Sequence, residues 1–127
     1  MDDKKKVLIV DDEELAQEFL RFFLSKKYDV YTVGSVNTFY NIISNVTFDL
    51  ILMDISLRDT KDGIQLTREL KASERHRNVP IFVLTAFNTT KERNGAAAAG
   101  ADKFITKPVD TKILVKMIEE ALMEKVS

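Results

Sequence analysis

The sequence predicts an α/β fold in which a parallel sheet carries helices on both faces. Three observations predict it. Short apolar, β-branched runs alternate with segments of helical periodicity along the whole chain, and that alternation is what successive crossover connections between parallel strands produce. The runs VLIV at 7–10 and LILM at 50–53 hold no polar residue at alternate positions, so both faces of these strands must be covered. Each of these runs ends abruptly on a carboxylate, Asp11 or Asp54, at the edge where open α/β sheets bind ligands.

Taken in order, residues 7–10 read as the first strand, with an acidic exit through Asp11, Asp12, Glu13 and Glu14. A helix over 13–26 follows, in which Leu15, Phe19, Phe22 and Phe23 recur at helical spacing and acids occupy the positive end of the helix dipole. The β-rich run 28–33 stops at Gly34, and Ser35 is placed to cap a helix over 36–44. The third strand, 48–53, delivers Asp54, and a polar loop over 56–62 ends at Gly63 before a helix over 64–72. The linker SERHRN at 73–78 is charged, which makes His76, the only histidine, a solvated surface residue.

Pro80 opens the fourth strand, 81–84, where a missing amide is tolerated, and Thr85 closes it. The helix expected over 89–99 contains Asn94 and Gly95 and has a mostly alanine apolar face, so it has little surface to bury and should be the loosest. A short fifth strand, 103–106, leads through Lys107 and Pro108 to a helix over 110–125, with Asp110 as its cap and Ile113, Leu114, Met117, Ile118 and Ala121 as its buried stripe.

Bulk properties narrow the function. A chain of 127 residues suits one domain, expected to span 1–127 with no output domain visible, and such a domain buries roughly two-thirds of its unfolded surface. The 19 basic and 20 acidic residues nearly cancel, which argues against a direct nucleic-acid partner. Cysteine is absent, so disulfides, thiolate metal sites and thiol nucleophiles are excluded. No apolar run approaches the roughly 20 residues of a membrane span, and no signal peptide precedes the first strand, so a cytoplasmic protein without a membrane partner is expected. The four glycines are too scattered to form a dinucleotide-binding loop.

The predicted strand ends bring together Asp11, Asp12, Asp54, Thr85 and Lys107. Like charges about 4 Å apart repel by about 1 kcal/mol even in water, so three converging carboxylates require a cation. With oxygen ligands that cation is a hard one, Mg²⁺ first and Mn²⁺ as a substitute. Taken singly, Asp11 and Asp12 equally suit helix-capping acids, Thr85 a loop cap, and Lys107 a surface residue beside a turn proline.

VLIVDDEE, LILMD, the pair Thr85–Ala86 and AGADKFITKPVD, in that order and at the strand ends, resemble the receiver domain of two-component response regulators across essentially the whole chain. The resemblance implies a doubly wound, flavodoxin-like sheet of order 2-1-3-4-5. It implies phosphorylation of Asp54 by a histidine kinase or a histidine phosphotransfer protein, with catalysis by positioning and electrostatics. It implies Mg²⁺ held by Asp12, by Asp11 partly through water, by Asp54 and by the main-chain carbonyl of Ser56. Thr85 is then the hydroxyl that binds the phosphoryl group and Phe104 the switch aromatic, a role favoured over that of a core aromatic on a short edge strand. The kinase would dock on the first helix and nearby loops, and an output partner or second copy on the face of the fourth helix, fifth strand and fifth helix.

The sequence departs from that family at two places. Leu57 and Arg58 stand where a methionine–proline pair is common, in a loop one residue longer. Phe87, two residues after Thr85, is expected to crowd the phosphoryl group and slow its hydrolysis. A phosphohydrolase using an aspartyl phosphate would need a second acid two residues after Asp54, where Ser56 stands. A phosphate-independent module would be expected to lose site residues, and none is lost. A stand-alone regulator, a phosphorelay intermediate and a receiver excised from a hybrid kinase or larger regulator all fit the sequence.

Overall fold

Strand and helix alternate as predicted in a computed structural model that describes residues 4–86 and 89–124. The elements are β1 (Lys6–Val10), α1 (Glu14–Leu24), β2 (Asp29–Val33), α2 (Val36–Asn45), β3 (Leu50–Asp54), α3 (Gly63–Ala72), β4 (Ile81–Thr85), α4 (Thr90–Ala99), β5 (Lys103–Thr106) and α5 (Thr111–Glu124). The five strands form one parallel sheet in the order β2-β1-β3-β4-β5. β3 and β4 are buried along their whole length, as apolar strands covered on both faces must be.

Successive side chains point to opposite faces, which sorts the core into two layers. On one face Leu20 and Leu24 of α1 and Leu114, Ile118 and Leu122 of α5 pack on Val7, Ile9, Leu50, Leu52 and Leu84. On the other, Val36 and Phe39 of α2, Leu66 and Leu70 of α3 and Ala96 of α4 pack on Leu8, Val10, Ile51, Met53, Ile81 and Val83. Each large aliphatic buried this way contributes roughly 1.5–3 kcal/mol of transfer free energy.

Helix starts follow local chemistry. Ser35 and Thr38 form a reciprocal capping box on α2, and Asp62 and Gln65 form one on α3. Asp110 accepts from the amides of Lys112 and Ile113 at 3.0 and 3.2 Å, so it caps α5 as the sequence predicts. α4 is capped by Thr89, buries only Ala96 and Ala99, and ends at Gly100, whose φ of 99° is the left-handed conformation that favours glycine.

Three expectations are corrected. Of the periodic residues of α1, Leu15, Phe19 and Phe22 are exposed and Phe23 is only partly buried, while the buried positions are Leu20 and Leu24. α1 carries two apolar stripes, and periodicity alone cannot say which one the sheet will cover. On α5, Ile113 is likewise exposed, and the stripe runs Leu114, Ile118, Leu122. His76 is only 7% exposed, since residues 73–79 turn back over the α2–α3 side through His76 N–H to the Ser73 carbonyl and Val79 N–H to the His76 carbonyl. It lines a small cavity with Phe39, Tyr40, Ile43 and Leu70. Phe87 falls outside the described residues.

Candidate functional site

Register carries the sequence-predicted residues to one edge. Val10 pairs with Met53, Asp54 with Leu84, and Thr85 with Thr106. Asp11 therefore emerges beside Asp54, and Lys107 follows one residue beyond the level of Thr85. Asp11, Asp12 and Asp54 each offer a carboxylate oxygen within 4.8 Å of the others. Asp11 and Asp54 are 1% and 4% exposed, and Asp12 is half-buried.

One ammonium serves two of these acids. Lys107 Nζ lies 3.2 Å from Asp11 Oδ2 and 3.2 Å from Asp54 Oδ2. The remaining oxygens are satisfied locally: Asp54 Oδ1 accepts from Ser56 N–H at 2.8 Å and from Ser56 Oγ at 2.9 Å, and Asp11 Oδ1 accepts from Glu13 N–H at 2.9 Å. Asp11 thus also secures the start of α1, whose own N-cap residue, Glu13, makes no side-chain cap.

The charges do not balance. Burial pushes the Asp11 carboxyl above its usual range, the Glu13 amide works against this, the Asp54 charge adds to it and Lys107 opposes it. Burial also opposes the charge on Lys107, but the attraction of Asp54 and Asp11 outweighs it and raises its pKa. The ammonium stays protonated, and Asp11 is the acid left under-compensated. An all-oxygen cluster with surplus negative charge is the donor set that a hard divalent cation takes, so these residues fit Mg²⁺ or Mn²⁺.

The cluster opens into a cavity of about 420 Å³ lined by Asp12, Asp54, Ser56, Arg58, Ala86 and Lys107. Thr85 is fully buried at the end of β4, and its carbonyl accepts from Lys107 N–H at 2.7 Å, which ties the lysine's main chain to that strand. Phe104, Thr106 and Thr85 share one face of the sheet by alternation and pairing. Phe104 is half-buried against the α2–α3–α4 core layer, with the Arg93 guanidinium 4.7 Å over its ring. The Lys107–Pro108 peptide is cis.

Three residues that the sequence reading did not assign also belong to the site. Gly63 opens α3 against the main chain of Asp54: a Cβ there would stand 2.4 Å from the Asp54 carbonyl oxygen and 2.7 Å from Ile55 Cα. Gln17 Nε2 donates to the Asp11 carbonyl at 2.5 Å, and Arg58 reaches Asp12. An Asp-Gly pair at a helix start was the legible signal for Gly63. Gln17 and Arg58 carry none, because their partners lie in other elements.

The chain matches the response regulator receiver domain family model over residues 7–119. It is similar to the signal receiver domain of a signal transduction histidine kinase from Syntrophus aciditrophicus, with 28% identity, a TM-score of 0.88, and coverage of 94% of this chain and 91% of that one. It is also similar to the receiver domain of a sensor histidine kinase from Pseudomonas aeruginosa PAO1, solved with a magnesium ion coordinated in its active-site cleft, with 28% identity, a TM-score of 0.84, and coverage of 94% and 98%. A two-component response regulator from Clostridium difficile shares the fold at 24% identity and a TM-score of 0.90, covering 98% and 100% of the two chains.

Proposed function

The chain belongs to the response regulator receiver domain family of two-component signalling, and on that footing we propose that it is a phosphorylation-activated switch whose phosphoryl acceptor is Asp54. The observation that carries this reading is the position of Lys107 Nζ, 3.2 Å from both Asp54 and Asp11, beside an open cavity. A carboxylate oxygen of Asp54 attacks the phosphorus of a phosphohistidine donor. The P–N bond breaks, its electron pair stays on the imidazole nitrogen, and a mixed carboxylic–phosphoric anhydride forms on Asp54.

Lys107 is placed to follow the charge from the carboxylate to the phosphoryl oxygens. Ser56 holds Asp54 Oδ1, so the carboxylate meets the donor in one orientation. Asp11, Asp12, Asp54 and the main-chain carbonyl of Ser56 are the groups that would hold Mg²⁺, which when bound neutralises charge on the transferring group. Mn²⁺ suits the same donors.

Thr85 is the hydroxyl proposed to bind the phosphoryl group, and Phe104, on the same sheet face, is the aromatic proposed to convert that contact into a surface change over α4, β5 and α5. That face is where an output partner or second copy would dock. The exposed Leu15, Phe19 and Phe22 of α1 suit the apolar helices of a histidine kinase or phosphotransfer protein. A groove of about 240 Å³ between Phe19, Pro108 and Val109 reaches Lys107 from the same side.

The reading takes residues 1–127 as one receiver unit in the cytoplasm, with self-catalysed phosphorylation and dephosphorylation but no separate substrate. It holds equally for a receiver carried by a hybrid kinase. Ser56, in place of a second acid, disfavours a phosphohydrolase. Incubation with Mg²⁺ and acetyl phosphate, followed by intact-mass spectrometry, should label the parent and leave Asp54→Asn unlabelled. Equal labelling of the variant would refute the assignment.

A further inference from the structure

The β3–α3 loop, residues 56–62, holds one cation at the cavity wall that the reaction above does not use. The loop is pinned on both sides of it. Leu57 is buried in the core. Asp59 Oδ2 accepts from Val36 N–H at 3.0 Å at the first turn of α2, and Asp62 caps α3. Between these anchors Arg58 is set against the exit of β1. Its N–H donates to Asp12 Oδ2 at 3.2 Å, and its Nε lies 3.5 Å from the same oxygen.

The Arg58 side chain is 83% exposed, so packing does not account for its position. It stands in the wall of the cavity that also contains Asp54 and Lys107. Its charge is aimed at Asp12, the half-buried member of the carboxylate cluster. A guanidinium and a divalent cation seek the same carboxylate and repel each other, so the presence of one weakens the hold of the other.

Resting on the reading of the cluster as a Mg²⁺ site, we propose that Arg58 competes with the divalent cation for Asp12 and thereby sets the affinity of the site for Mg²⁺. Arg58 is a positioning residue here, since it acts through Asp12. The long loop delivers it: with Leu57 buried and Asp59 fixed to α2, the intervening residue faces the strand ends. An exposed ion pair shifts an equilibrium by up to about fivefold, and removing a charge that repels a dication adds to that, so a neutral residue should tighten Mg²⁺ binding about three- to tenfold.

The test is a Mg²⁺ titration of the full chain without a phosphodonor, followed by backbone amide chemical shifts, for the parent, Arg58→Met, Arg58→Lys and Arg68→Met. Arg68 is an exposed cation on α3 and controls for net charge. Arg58→Met should tighten binding three- to tenfold, Arg58→Lys should fall between it and the parent, and Arg68→Met should match the parent. In an Asp12→Asn background the effect of Arg58→Met should shrink to less than twofold. Thermal unfolding of each variant verifies that the fold is intact. Binding by Arg58→Met within twofold of the parent, or weaker, overturns the proposal while leaving the site reading in place. A parent that binds no Mg²⁺, or binds it equally well after Asp54→Asn and Asp12→Asn, overturns both.

Discussion

Among the described residues, buried carboxylates and a buried histidine occupy two places, and these are built in opposite ways. At the carboxyl edge of the sheet, Asp11 and Asp54 come from two strands and share a single ammonium from beyond a third. On the α2–α3 side, His76 is buried with Ser73 Oγ 3.2 Å from its Nδ1 and, among the described residues, no hydrogen-bond partner for Nε2. Burial holds the His76 pKa below its usual value, the neighbouring Arg75 adds to this, and the Ile43 main chain works the other way. Its ring therefore stays neutral near pH 7. The first place accumulates charge in excess of what the fold can satisfy, whereas the second avoids charge. Burial of an ionisable group is thus poor evidence of chemistry by itself, and convergence of several such groups from separate strands is better evidence.

The surroundings differ in the same sense. Asp54 is backed so closely by Gly63 that no methyl group fits between α3 and the strand end. His76 borders a cavity of about 180 Å³. Behind Asp54 there is no room for a methyl group, whereas His76 has open space beside it.

Four substitutions test that contrast, from the largest expected effect to the smallest. Lys107→Met should slow phosphorylation by acetyl phosphate about 10²- to 10³-fold, as loss of a preorganised electrostatic partner does, measured as the rate of mass-labelled protein formed under saturating Mg²⁺. A rate within threefold of the parent would mean that the shared ammonium is structural, as His76 is. Gly63→Ala should cost about 3 kcal/mol in urea unfolding, because main-chain atoms of β3 must move to admit the methyl. A loss under about 0.5 kcal/mol would show that the strand end yields.

Asp11→Asn should act in opposite directions on stability and function. With its folded pKa raised, Asp11 binds its proton more tightly in the native state than in the unfolded chain. Stability is then lost as pH rises from the unfolded pKa through the folded one, and the cost is complete at neutral pH. In chelator at pH 7 the variant should be about 1 kcal/mol more stable than the parent, while its phosphorylation falls. A destabilised variant would show that Lys107 fully compensates Asp11.

His76→Gln should change stability at pH 7 least and alter its pH dependence instead. A depressed histidine pKa means that the unfolded chain takes up the proton first, so the parent loses stability as pH falls below the unfolded value near 6.5. Denaturation midpoints at pH 7 and pH 5 should differ less in the variant, by a fraction of a kcal/mol. An unchanged difference would place the acid sensitivity elsewhere.

Much of this was legible in the chain. Asp54 could be read because a run without polar residues ended on it, and the same holds for Asp11 after VLIV. The caps Ser35 and Asp110 were readable because capping is local. The inward face of α1 was not, since two stripes had comparable apolar content and only the path from β1 to β2 decided between them. His76 was misread for a related reason: its linker is polar in sequence, and the turn over 73–79 folds it back against the α2–α3 side, where it lines a cavity with Phe39, Ile43 and Leu70.

The sequence by itself determined the alternation, the helix starts and the identity of the residues at the strand ends, because these depend on periodicity and on contacts within a few positions. Tertiary structure alone decided that one Lys107 ammonium stands between two carboxylates, that Gly63 leaves no space behind Asp54, and that Arg58 turns toward Asp12. Those contacts join elements far apart in the chain, and strand register sets their distances. The strand that ends on Asp54 became a site only when that register carried Asp11, Thr85 and Lys107 to the same edge of the sheet.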